Sequence, residues 1–391
     1  MRRYKMLIFT LLVFSATALA YFYEHKEYTH ESYKLPSLKF HSDRFGDIRN
    51  ISPIRNYNLP MLLILSTDES TKSSTLSVLN LMKNTDTKFY SFNTHSVLQD
   101  KILTDNMGQR IVTVGKEGVE FSRIISGLGE DKDEIQLNGN FIEIKDFQSA
   151  NSIDYENKLF YSKNNDNLIH SRDIENGFNM NSLFSNENIK EEVLYYKNPL
   201  SIIGYTLDEI IYYTKSTREG ITLYSYTTRN NGPYHKPITI KNFVHGKALQ
   251  YGSGLTGIYE DAGSFRTFII DRFDPKLEIA TIPKNTDALG QVPDVYTIAY
   301  NEEYYCIYSS FDENHIGSIY LKTHKDSSPK ELIKNQSIVG PIKLFQSGIN
   351  IDDRTQRFDR ILFTTLENDK IHVKIYDINE NKIDDITEYF Q

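Results

Sequence analysis

A short apolar, aromatic-rich run that closes on a small or acidic residue, passes through a polar turn and resumes as a second such run occurs seven times along this chain of 391 residues. The last apolar positions of the first runs are Leu65, Val114, Tyr161, Tyr213, Tyr259, Tyr308 and Phe363, spaced by 49, 47, 52, 46, 49 and 55 residues. Enrichment in Ile, Tyr, Phe, Val and Thr between polar turns reads as strand, and no helical period of ten or more residues appears outside the N-terminus. A unit of this length holds roughly four short strands. Such a sheet buries its faces only against its neighbours, so the units must stack into one continuous body.

Registered residues support the repeat. After the second run, four units carry a polar residue, an apolar one and then Asn or Asp: Asn80 to Asn84, Asp173 to Asn176, Asp271 to Asp274 and Asp377 to Asn381. Asn and Asp tolerate left-handed dihedrals and bond their own backbone, which is turn chemistry. A third register joins Phe147-Gln148-Ser149-Ala150, Tyr251-Gly252-Ser253-Gly254 and Phe345-Gln346-Ser347-Gly348, whose serines stand 104 and then 94 residues apart. Both intervals are close to two units.

Within the last unit the pattern predicts strands over 341–346, 361–365, 371–376 and 383–389. The sixth has strands over 304–309 and 317–321 around the turn Phe311-Asp312-Glu313-Asn314. The chain resembles the seven-bladed β-propeller superfamily over roughly residues 50–391. That resemblance implies an all-β disc of seven four-stranded blades around a central channel, with faces that bind partners. The first unit completes four strands only if residues near Ser37 to Phe40 join it, so six or eight blades stay open. No Pro/Ser-rich linker interrupts the repeat, and one propeller domain is expected over 49–391.

The N-terminus has a different character. Arg2, Arg3 and Lys5 precede an apolar stretch from Met6 to Phe14, and Ala18-Leu19-Ala20 offers small residues for cleavage, which reads as a signal peptide over 1–20. An uncleaved anchor is the alternative, with Tyr21-Phe22-Tyr23 at the membrane interface. Either route places the remainder outside the cytoplasm, periplasmic or secreted, or tethered to the inner membrane. No cysteine near the apolar stretch supports a lipid anchor. Residues 21–48 read as a polar tether; His25 and His30 within it are two spaced histidines, too few for a metal site.

Cys306, the one cysteine, falls in a predicted strand and reads as a buried thiol rather than a nucleophile. Net charge is −8, and Arg2, Arg3 and Lys5 contribute +3 of it, so the exported part carries −11. That excludes nucleic acid and anionic membrane surfaces, which need a basic footprint, and leaves a protein partner with a neutral or basic surface. Membrane contact is expected only through an uncleaved N-terminus.

Acidic residues recur in the turn between the paired runs: Asp68 and Glu69, Glu117, Asp166, Glu219, Glu260 and Asp261, Asp312 and Glu313, and Glu367 and Asp369. On a disc these turns share one face and would form an acidic annulus, although hairpin turns also select Asp for backbone reasons. A second cluster, Asp352-Asp353-Arg354 with Arg357, Asp359 and Arg360, fills the longest gap of the repeat, and an acidic insertion spans Gly127 to Glu134. Loops on a rigid scaffold often carry function. The candidate binding residues are therefore Asp352, Asp353, Arg354, Arg357, Arg360, Asp312, Glu313, Asp68 and Glu69.

Catalytic signals are weak. Ser216 to Leu223 is similar to the repeated turn of sialidase propellers but lacks its Asp and Trp, and the chain has no tryptophan. His170, His235, His245, His315 and His372 form no HExxH or His-x-His pattern, and no nucleophile elbow, phosphate loop or dinucleotide motif is present. No cofactor or metal is implied. The sequence favours an extracytoplasmic, non-catalytic protein that docks a partner on one face, an assembly factor or immunity-type protein among them. An exported polysaccharide hydrolase or lyase with its site at the channel mouth is the alternative.

Overall fold

The computed structural model describes residues 33–54, 61–68, 73–81, 85–93, 97–104, 110–115, 118–126, 135–153, 158–163, 169–173, 191–194, 201–205, 210–217, 220–227, 232–233, 236–248, 254–271, 276–300, 303–345 and 360–391. Among these the strands form seven antiparallel sheets that follow one another in chain order, from Phe40–Asn93 to Ile338–Asp385. Five sheets have four strands, and the first and fourth have five. With the strands of the first sheet counted from Gly46–Pro53, leaving aside the short added strand Phe40–Ser42, each of Leu65, Val114, Tyr161, Tyr213, Tyr259, Tyr308 and Phe363 lies in the second strand of a different sheet.

The second strands are apolar because they are covered on both faces. Met61–Asp68 is buried from Met61 to Ser66, and Arg360–Glu367 from Ile361 to Thr365. Outer strands show the opposite: Lys382–Asp385 is exposed throughout. Successive sheets touch through their inner strands or the strand alongside, and Gly46–Pro53 of the first sheet touches Ile338–Phe345 of the seventh. The sheets therefore close into a ring, and the architecture is a β-propeller.

Its core lies between sheets. Ile48, Leu62 and Leu79 of the first sheet pack with Leu362, Val373 and Ile375 of the seventh. Each fully buried side chain of this size contributes about 1.5–3 kcal/mol, so this interface closes the ring without a covalent staple. The chain ends meet there too. The backbone N–H of Arg44 donates to the carbonyl of Phe390 at 3.4 Å, and the Phe45 and Phe390 rings meet edge to face with centroids 5.8 Å apart.

Two expectations change. Residues 33–48 are part of the folded body and not the end of a tether. Phe40–Ser42 pairs with Gly46–Pro53, Lys34 bridges to Gln291, and the Gln291 side-chain amide bonds both backbone groups of Ser37 at 2.8 and 3.0 Å. The polar composition hid this because Gln291 and its neighbours satisfy the segment's backbone groups in place of a long sheet ladder. The Phe-Gln-Ser register also fails: Phe147 opens an inner strand opposite Lys163, whereas Phe345 closes one opposite Arg360. Matching composition there marks opposite strand ends. Tyr251 to Ser253, the signal segment and the tether histidines His25 and His30 lie outside the described residues.

Candidate functional site

Strands alternate in direction, so connections from first to second and from third to fourth strands leave at one face of the disc, and those from second to third leave at the other. The sequence-picked residues consequently divide. Asp68 closes a second strand and Asp312 follows one, whereas Arg360 opens a second strand at the opposite end. Asp352, Asp353, Arg354, Arg357 and Glu69 lie outside the described residues, as do Glu117, Asp166, Glu219 and His235.

The described acidic turns are engaged within the protein. Glu260 accepts from Lys284 at 2.8 Å and from the Tyr33 hydroxyl, and Tyr33 packs edge to face on Phe265 at 5.7 Å. The Lys284 bond and then the Tyr33 bond hold the Glu260 carboxyl below its usual range, while burial and the Glu260 bond raise Tyr33 to about 12. Glu367 accepts from Lys374 and Thr365. Asp261 lies 3.6 Å from Arg266. Asp312 caps its own turn, accepting the backbone N–H groups of Asn314 and Ile316 at 2.8 Å each. Asn368 and Asp369 have φ of 50° and 60° in a two-residue hairpin loop, where the backbone selects such residues. Glu313 is exposed, and Arg360 lies 3.4 Å from Asp377.

A different cluster stands at the inner strands. Asp294 and Asp287, each 1 % exposed, occupy the connection from the fifth sheet to the sixth. Asp294 accepts from Lys247 Nζ at 2.6 Å and from the backbone N–H groups of Val295 and Ile342 at 3.0 Å. Asp287 accepts from Leu289 and Gln291 and from Gly340 at 3.2 Å. These bonds explain a departure from regular pairing: between Val339 and Lys343 the inner strand bulges, Gly340 takes φ +76°, and the two acids receive the N–H groups thereby freed.

Past the bulge, Lys343 Nζ donates to Asn50 Oδ1 and, at 2.9 Å, to Ser52 Oγ across the ring closure. Among the described residues no carboxylate pairs with it. Burial and then repulsion from Lys247 lower its amine from the usual lysine range to about 7, with Asp294 opposing. The residue nevertheless keeps part of its surface exposed. Beside this cluster His245, 8 % exposed, bonds the Pro293 carbonyl at 3.0 Å, and burial lowers its pKa. Cys306 is buried and its thiol is raised to about 11 by burial, which suits packing and not nucleophilic attack. Among the described residues no group of three or more His, Cys, Asp or Glu converges. The amines escaped the sequence reading because lysine at a strand position resembles any surface lysine until pairing is known.

No family model and no curated protein matches this chain. Solved structures do. An oligogalacturonate lyase from Vibrio parahaemolyticus superposes with a TM-score of 0.51 at 11% identity, covering 89% of this chain and 98% of its own. A prolyl endopeptidase gives the same TM-score and identity over 89% of this chain, which spans 50% of that enzyme. The β-propeller domain of the trilobed protease from Pyrococcus furiosus gives 0.39 at 9% identity, over 87% and 82%. What the first two share with this chain is the fold. At these identities the likeness carries no activity across.

Proposed function

We propose that the protein is an extracytoplasmic, non-catalytic binding protein that docks a protein partner on one face of its propeller. One observation carries this reading: the strand ends bounding 127–134, 174–190 and 346–359, three of the four longest intervals between strands, all open on the face where first-to-second and third-to-fourth connections leave. Strand ends that open long connections on one side of a rigid scaffold suit recognition. The fourth long connection, 284–294, leaves at the opposite face and is consumed internally by the bonds of Asp287, Gln291 and Asp294. Export rests on the N-terminal pattern; among the described residues no helix is long and apolar enough to cross a membrane. The net charge of the exported part favours a partner with a neutral or basic surface.

A second reading has one observation in its favour. An amine near neutrality at the inner strands is the kind of group a general base requires, which keeps an exported polysaccharide hydrolase or lyase in view. Affinity capture of the mature chain from its native envelope, run beside a glycan-turnover screen, separates the two. A stoichiometric protein partner supports docking; turnover with nothing retained overturns it.

A further inference from the structure

The lysines of the inner strands occupy one layer. In every sheet one inner-strand residue pairs with the third residue of the second strand, and in the first, fifth and seventh sheets it is Ser52, Lys247 and Lys343, opposite Leu63, Thr256 and Leu362. In the other four sheets the equivalent residue is Leu103, Ser152, Gly204 or Ile298. The layer therefore holds two cations and no acid. It also lies toward the ends of the inner strands, on the side where the long connections leave.

Asp294 reaches this layer from outside the register and pairs directly with Lys247 at 2.6 Å, while its charge offsets only part of the cost at Lys343. Lys343 is held by Asn50 and Ser52, two neutral acceptors that orient an ammonium group without cancelling its charge. A partly desolvated ammonium without a counter-ion is costly, and a second one nearby adds to the cost. One monovalent anion bound between the two amines gives Lys343 the counter-ion it lacks and offsets the repulsion from Lys247. We propose that this layer is a carboxylate site, in which Lys343 and Lys247 together hold a single carboxylate carried by the docked protein, either an acidic side chain or a chain terminus. This rests on the docking reading above and names what the partner inserts. A polyanion fits less well: the exported part carries −11 overall, which repels an extended acidic chain, whereas one carboxylate on a neutral or basic surface meets only the local positive charge.

The probe is propionate, with propionamide as its uncharged isostere, at constant ionic strength. The readout is acetylation of Lys343 by acetic anhydride, resolved by mass spectrometry against pH, with the exposed Lys370 as internal reference. A bound carboxylate favours the protonated amine, so saturating propionate is expected to raise the apparent pKa of Lys343 by about one unit and to slow its labelling at pH 7 about fivefold. Propionamide leaves it unchanged. Lys343→Met abolishes propionate binding in a direct titration; should that variant fail to fold, wild-type labelling decides. Equal labelling in propionate and propionamide overturns the proposal. Stronger protection per carboxylate by oligogalacturonate overturns the protein-borne assignment in favour of a polyuronate. Partner capture fails or succeeds separately: capture without protection at Lys343 rejects the site and leaves docking intact, and protection without capture rejects docking alone.

Discussion

The acidic turns at one face and the lysine layer at the inner strands are both charged, and they are used differently. In the turns, Glu260, Glu367, Asp261 and Asp312 each have a partner supplied by the protein itself. At the inner strands, Lys343 has two neutral acceptors and no counter-ion among the described residues. The turns are rich in charge because hairpin backbones select Asp and Asn and because exposed carboxylates keep a surface soluble. The layer is poor in charge, and its two lysines persist against a desolvation cost. Isolation distinguishes a candidate site better than abundance does.

The largest effect is expected at the buried carboxylate of Asp294. Asp294→Ala leaves the Lys247 ammonium, 38 % exposed, to water and removes the acceptor of the buried Val295 and Ile342 N–H groups, and should destabilise the fold by about 2–3 kcal/mol. Chemical denaturation measures it. A loss below about 1 kcal/mol would mean that water or a neighbouring group replaces the carboxylate, and the contrast with the turns would disappear.

Lys343→Met should act in the opposite direction. Below pH 7 the amine is protonated in both folded and unfolded chains, so the fold carries the full cost of a desolvated ammonium; replacing it should stabilise the protein by about 1–3 kcal/mol at pH 6. Between pH 7 and the ordinary lysine range the unfolded chain binds a proton that the folded one does not, so wild-type stability rises with pH there. Melting curves from pH 6 to 9 should show that rise in the wild type and a flatter profile in the variant. His245 acts at lower pH. Burial disfavours its protonated form, so stability falls as pH drops below the usual histidine range, and His245→Gln should weaken that acid sensitivity.

The parts of the fold legible in sequence were those covered on both faces. Second strands such as Met61–Asp68 are sandwiched between sheets, and their continuous apolar runs supply the period. Gly46–Pro53 buries Ile48, Ile51 and Pro53 between partly exposed residues such as Arg49 and Asn50 and shows no such run, so the boundary expected after residue 48 cuts through the inner strand at the ring closure. At the C-terminus a strand expected over 383–389 is Lys382–Asp385 followed by a 3-10 turn at Thr387–Phe390, because an exposed outer strand has no apolar pattern to mark its end. The site was harder. Lys247 and Lys343 stand 96 residues apart, two units of the repeat, a signal present in the sequence but lost among 44 basic residues until strand pairing set the register.

The smallest effects should fall on the acidic turns, and they decide which face docks. Asp312→Ala frees the N–H groups of Asn314 and Ile316, which water can reach, so a loss of about 1 kcal/mol is expected. Glu313→Gln removes an exposed charge and should leave stability within about 0.5 kcal/mol. If the partner docks on the face of the long connections, Glu313→Gln also leaves capture within twofold even at low salt, where long-range attraction to a basic surface is strongest. Deleting Asp352 to Arg360 should instead abolish capture. The reverse pattern, capture lost with Glu313→Gln and kept in the deletion, would move the docking face to the acidic turns and detach it from the lysine layer, because turns between second and third strands lie at the far end from Lys343.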